Sequence, residues 1–279
     1  MKVAPYSLRG ARYIPATEGS AARFGIEKRL EMRLLGVEIL AFLKKVAQSL
    51  RISCIQPGSN TLIMGPPGIG KTVLCWNIAA ECIKTETGAV YVTLDSAPKA
   101  VEEAIRAQGD SGGTDKITFV DCYSWLIGEV KGSYSISHLS NLGDLSVKLF
   151  TALQDKGPQG AVIFDSISTL FVYNMENEVV RFLQVNLARV KQMGCFGIWT
   201  VEEGIHTPAF YNTLRHVMDI ILELRFEETT SLERRLRVHT CKGSTHSTQW
   251  FPFTIADDGR LIIEDGDLGV KGVEKRNNN

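Results

Sequence analysis

The run Gly65-Pro66-Pro67-Gly68-Ile69-Gly70-Lys71-Thr72 constrains this chain more than any other feature. Its spacing is G-x-x-x-x-G-K-[ST], the pattern of a loop that wraps phosphate. The flanks agree with the loop. Thr61-Leu62-Ile63-Met64 is a short apolar run that reads as a buried strand, and Val73 to Cys82 reads as a helix. A strand, a glycine loop and a helix N-terminus aim several backbone N–H groups at one point, and the helix dipole favours an anion there. Glycine lets the backbone close on that anion without a Cβ in the way. The cradle is therefore Gly65, Pro66, Pro67, Gly68, Ile69, Gly70, Lys71, Thr72 and Val73. The mechanics of the motif put Lys71 on the β- and γ-phosphates of a nucleoside triphosphate and the Thr72 hydroxyl on Mg²⁺.

The chain after residue 60 alternates apolar strands with helical patterns. Strands read at 90–94, 117–120, 161–164 and 196–201, and helices at 98–108, 144–154 and 176–193. Such alternation means a mainly parallel α/β sheet with helices on both faces. Strands at 220–224, 234–240 and 250–255 then follow closely and read as an antiparallel block at one sheet edge. Before all this, residues 26–50 carry Leu35, Ile39, Phe42, Leu43, Val46 and Leu50 at helical spacing. They read as an amphipathic helix packed on the core or on a second subunit. Its basic residues also suit a membrane surface, against which Glu27, Glu31 and Glu38 argue. The expected organisation is a tail and helix over 1–50, one α/β domain over 51–265 and a tail over 266–279.

Composition narrows the setting. Of 279 residues 44% are hydrophobic and 22% charged, which suits a globular protein with a sizeable core. The formal net charge is zero, so global charge gives no argument for nucleic acid or acidic membranes. The six cysteines lack C-x-x-C spacing and read as buried thiols of a reducing, cytoplasmic setting. The first twenty residues lack the apolar core of a signal peptide, although Lys2, Arg9 and Arg12 faintly echo a transit peptide. No apolar run reaches membrane-span length.

A second acidic element complements the loop. Ala161-Val162-Ile163-Phe164-Asp165 is an apolar strand ending in a carboxylate, the Walker B pattern, which places Asp165 in the Mg²⁺ shell through water.

With these segments on the page, the chain resembles the KaiC-like and RadA-like ATPases of the RecA superfamily. Phe164-Asp165-Ser166-Ile167-Ser168 is similar to their I-D-S-L-S stretch. Ile55-Gln56-Pro57-Gly58-Ser59 is similar to the I-P-x-G-S lead-in, and residues 90–109, from Val90 to Gly109, resemble Y-V-S-F-E-E-S-P…G. Trp199-Thr200-Val201-Glu202 sits at the sensor strand ending T-x-E, and residues 234–246 resemble the closing hairpin K-x-R-G-S/T-x-H. The likeness covers about residues 55–265. It implies a RecA-like P-loop fold, bound ATP and Mg²⁺, and a homo-oligomer, either a hexameric ring or a dimer. It also implies an unidentified protein partner.

The departures bear on activity. Where the family pairs two glutamates to polarise water, this chain has Asp95-Ser96. Asp95 keeps a carboxylate one methylene shorter, and Ser96 is no base near neutral pH. Of the two basic residues the family places across subunits, only Lys242 remains; Thr240 occupies the other position. Lys242 lacks the bidentate fork of arginine. The catalytic set implied is Lys71, Asp95 and Lys242, with weak turnover. Glu202-Glu203 reads either as a γ-phosphate sensor or as an exposed loop turn. His206, His216, His239 and His246 lack metal-ligand spacing and read as isolated. Residues 202–215, with Gly204, Pro208 and Asn212, read as the mobile pore loop; they lack a Lys/Arg cluster, which disfavours DNA without excluding it. The expected function is a slowly hydrolysing, ATP-dependent regulatory or assembly switch. The alternatives are a RadA-paralogue-type recombination accessory and a nucleotide-binding regulator without hydrolysis.

Overall fold

The computed structural model describes residues 56, 58–84, 88–108, 113–156 and 160–264. The helix read at 26–50, the lead-in residues Ile55 and Pro57, Gly109, Cys54 and both tails lie outside the described residues.

Among the described residues nine strands form one sheet in the order β3-β2-β4-β5-β1-β6-β7-β8-β9. They are β1 (Asn60–Gly65), β2 (Ala89–Thr93), β3 (Ile117–Asp121), β4 (Ala161–Asp165), β5 (Phe196–Glu202), β6 (Ile220–Glu228), β7 (Leu232–Cys241), β8 (Phe251–Ile255) and β9 (Leu261–Ile263). The helices are α1 (Lys71–Lys84), α2 (Pro98–Ala107), α3 (Leu142–Lys156), the single turn α4 (Ile167–Leu170), α5 (Glu176–Gln192) and α6 (Pro208–Val217).

The central parallel strands β1, β2, β4 and β5 are apolar on both faces, as a covered parallel sheet requires. Period-two alternation divides them between two cores. Ile63, Tyr91, Ile163 and Ile198 face α1 and α2, where Leu74, Ile78, Val101 and Ile105 meet them. Leu62, Val90, Val92, Val162, Phe164 and Trp199 face α3, α5 and α6, packing on Leu145, Leu149, Val179, Leu183 and Phe210. All of these are almost completely buried. One buried amide ties three elements together. Asn60 donates to the Leu187 carbonyl at 3.2 Å and accepts from the Trp199 indole at 3.0 Å.

The expected antiparallel block stands at the sheet edge, with β6, β7, β8 and β9 pairing antiparallel in turn, and β6 also runs parallel to β1 and so joins the block to the parallel strands. One expectation needs correction, that for 202–215. Glu202 ends β5, and Pro208–Val217 is a helix. Thr207 accepts the Phe210 N–H at 3.1 Å as its N-cap, and Pro208 holds the first helical position, where a missing N–H costs nothing. Phe210 and Leu214 are its buried stripe. Among the described residues no helix is long and apolar enough to cross a membrane.

Candidate functional site

The parallel strands deliver their C-terminal ends to one crevice, the usual ligand position of open α/β sheets. Register sets the neighbours there. Gly65 at the end of β1 lies opposite Glu202 at the end of β5, and Thr93 at the end of β2 lies opposite Asp165 at the end of β4. Gly65 has to be glycine: a Cβ there would lie 2.5 Å from the Leu224 carbonyl oxygen on β6. Gly70 has φ of 112°, and a Cβ would meet the Ile255 side chain at 2.9 Å. The loop then enters α1, whose first-turn amides have no partner within the helix.

Lys71 lies at the floor with 5% exposure. Its ammonium donates to the carbonyls of Gly65 and Pro66 and to the Glu202 carboxylate, each at 2.9 Å. All three protons are thus committed within the loop and strand end. Asp165 is buried beside it. Tyr91 donates to one of its oxygens at 3.1 Å and Thr200 to the other at 2.6 Å, and the Thr72 side chain also favours its anion. Burial pushes its carboxyl above the usual range; Thr200, Thr72, Tyr91 and the charge of Lys71 pull it back. A buried carboxylate in contact with a threonine hydroxyl at a helix start fits a hydrated Mg²⁺, which Thr72 and Asp165 would hold.

Asp95 lies two residues beyond β2 and faces this group. Thr169 on α4 donates to it at 2.6 Å. Desolvation raises its pKa, with the charges of Asp165 and Glu202 adding to the rise and the Thr169 bond opposing it. Ser96 contributes only its carbonyl, which accepts from Thr93. The geometry therefore brings Lys71, Thr72, Asp95 and Asp165 to one end of the sheet. It does not bring Lys242 there. Lys242 follows the last residue of β7 and donates to the His216 carbonyl at 2.6 Å. Cys241 pairs with Ile220, which pairs with Thr61, four residues before Gly65. That is roughly 13 Å of strand rise from its own loop.

Sequence reasoning left Glu202 undecided and missed His206. Glu202 is neither a loop acid nor free: it holds Lys71. Its backbone N–H donates to the Ser168 hydroxyl at 2.8 Å, and that hydroxyl meets His206 Nε2 at 2.7 Å. His206, expected to be isolated, stacks among Phe171 at 4.3 Å, Phe210 at 5.2 Å and Tyr211 at 5.8 Å. Burial lowers its pKa, while Glu176 and Glu202 pull the other way. The Ser168 in the quoted Asp165-Ser166-Ile167-Ser168 stretch was the one available signal, since a serine one turn past the strand end sits level with the neighbouring strand tip.

A UPF0273 protein of Pyrobaculum aerophilum is 28% identical over 229 residues, covering 78% of this chain and 80% of that one. The circadian clock oscillator protein KaiC of Synechococcus elongatus is 27% identical over 235 residues, covering 80% of this chain and 43% of that longer protein. A crystal structure of a KaiC-like protein from Pyrococcus horikoshii shares the fold, with a TM-score of 0.60 at 16% identity over 78% of this chain and 94% of that one. Residues 48–267 match the KaiC ATPase family, and the chain belongs to that family, within the RecA superfamily of P-loop ATPases.

Proposed function

We infer that this protein binds ATP with Mg²⁺ at the β1–α1 loop and uses it as a slow regulatory or assembly switch. One observation carries the reading: Lys71, Thr72 and Asp165 converge at the strand ends beneath a glycine loop that opens a helix. Lys71 then takes the β- and γ-phosphate charge. Bound Mg²⁺ supplies charge neutralisation of the phosphates, with Thr72 and Asp165 as its protein contacts. Asp95 is the carboxylate that orients water. Its short side chain supports slow turnover, because a small misplacement of a base costs about a hundredfold in rate. Lys242, remote from its own loop, completes the site of a neighbouring subunit in a homo-oligomer. The clock-oscillator name of the cyanobacterial relative supports a switch over a motor.

The test is calorimetric titration with ATP and Mg²⁺, followed by solution mass with ATP-γ-S and Mg²⁺, with and without a DNA oligomer. Nucleotide-dependent assembly without DNA supports the switch. Assembly that requires DNA supports the recombination-accessory reading, and tight ATP binding with no turnover supports the non-hydrolysing regulator.

A further inference from the structure

A cleft of about 330 Å³ lies beside the phosphate site, between the loop after α4 and the loop after β5. Its walls are Phe171, Val172 and Ile205, with His206, Glu176 and Thr207 at its polar side. Two exposed apolar side chains line it: Val172 is 69% exposed and Ile205 61%. Clustered exposure of this kind marks a binding surface. The floor is preformed, since Phe171 meets Phe210 edge-on at 4.7 Å and His206 is fixed through Ser168.

Charge decides the occupant. Neither residues 166–180 nor residues 202–214 contain a Lys or Arg, whereas Glu176, Glu178, Glu202 and Glu203 fall within them. Glu178 is spent on the Met175 N–H, and Glu202 on Lys71. Among the described residues Glu176 and Glu203 have no cationic partner; Glu176 accepts only from the Thr207 hydroxyl. His206 Nδ1 is likewise unpartnered among them, which leaves one ring nitrogen for a backbone group. A phosphodiester backbone gains nothing here, because its binding depends on neutralisation by Lys and Arg.

We propose that this cleft docks an extended polypeptide segment of a partner protein that presents an apolar side chain beside a Lys or Arg. The apolar side chain enters between Val172 and Ile205, and the cation pairs with Glu176 or Glu203. The proposal is independent of nucleotide binding.

The experiment is a peptide-display selection on the full chain, counter-selected on Ile205→Asp, followed by anisotropy with the enriched peptide. Both Ile205 and Val172 are exposed, so either substitution leaves the cores intact; circular dichroism checks this. The expected result is a consensus pairing an apolar residue with Lys or Arg. Its affinity falls roughly tenfold or more in Ile205→Asp and in Val172→Asp, and less in Glu176→Gln. A selection with no consensus sensitive to Ile205→Asp, or an acidic consensus, overturns the proposal. So does oligothymidylate binding that Ile205→Asp abolishes. A changed solution mass in Ile205→Asp assigns the face to a subunit contact and equally overturns it.

Discussion

Glu202 closes on Lys71 at 2.9 Å across the paired strand ends, so the loop lysine is neutralised by the protein's own carboxylate. The lysine is 5% exposed and the glutamate 27%. An incoming phosphate has to take this ammonium from Glu202. Glu202→Gln removes the competing charge while keeping a similar side chain. ATP affinity is expected to rise by roughly three- to tenfold, the scale of one partly exposed charged hydrogen bond. Calorimetry reads this directly. Weaker binding in Glu202→Gln would mean that the carboxylate supports the nucleotide site and does not compete for it.

Lys71→Ala is expected to abolish detectable ATP binding with the fold retained. Glu202 can return to solvent when its partner is lost, so no deeply buried charge is stranded. Parent-like ATP binding in this variant, measured by calorimetry, would refute the phosphate-loop assignment.

Asp95 is expected to titrate above an ordinary carboxylate, because desolvation and the charges of Asp165 and Glu202 disfavour its anion. The Thr169 bond favours the anion, so Thr169→Val should raise the value further. Glu202→Gln removes a negative charge and should lower it. Carbon NMR of the Asp95 carboxyl reads all three. Asp95→Ala should remove what ATP turnover exists, and unchanged turnover would exclude this residue as the base.

The site was partly legible in the sequence, for physical reasons. The loop and the strand ending at Asp165 are local patterns, since each is a few residues whose spacing carries the geometry. The Lys71–Glu202 pair joins positions 131 residues apart, and only strand order and register make them neighbours. α6 was obscured by Gly204, Pro208 and Asn212, which read as breakers. Thr207 followed by Pro208 is in fact a helix start, and Asn212 is tolerated once the cap and the buried Phe210 and Leu214 are in place. His206 gained its position from Ser168 and a cage of rings contributed by separate elements.

Asn60 offers a test of the scaffold apart from the site. Its side chain satisfies the Leu187 carbonyl and the buried Trp199 indole, and its backbone N–H donates to Asp219 at 3.0 Å. Asn60→Ala leaves the buried Trp199 indole N–H unpaired, at a cost of about 2 kcal/mol. The urea midpoint should fall with an unchanged slope. An unaltered midpoint would show that water replaces the amide.

Lys242 carries the assembly hypothesis. It lies at the end of the sheet away from its own loop, held near the His216 carbonyl, and the proposed assembly gives its charge to another subunit's phosphate. Lys71→Ala and Lys242→Ala are each expected to be inactive as ATPases. Mixed together, they should recover part of the activity, because some interfaces then pair an intact loop with an intact Lys242. Subunit exchange has to be established first, by fluorescence transfer between labelled copies. If subunits exchange and the mixture stays as inactive as either variant alone, Lys242 does not act across an interface.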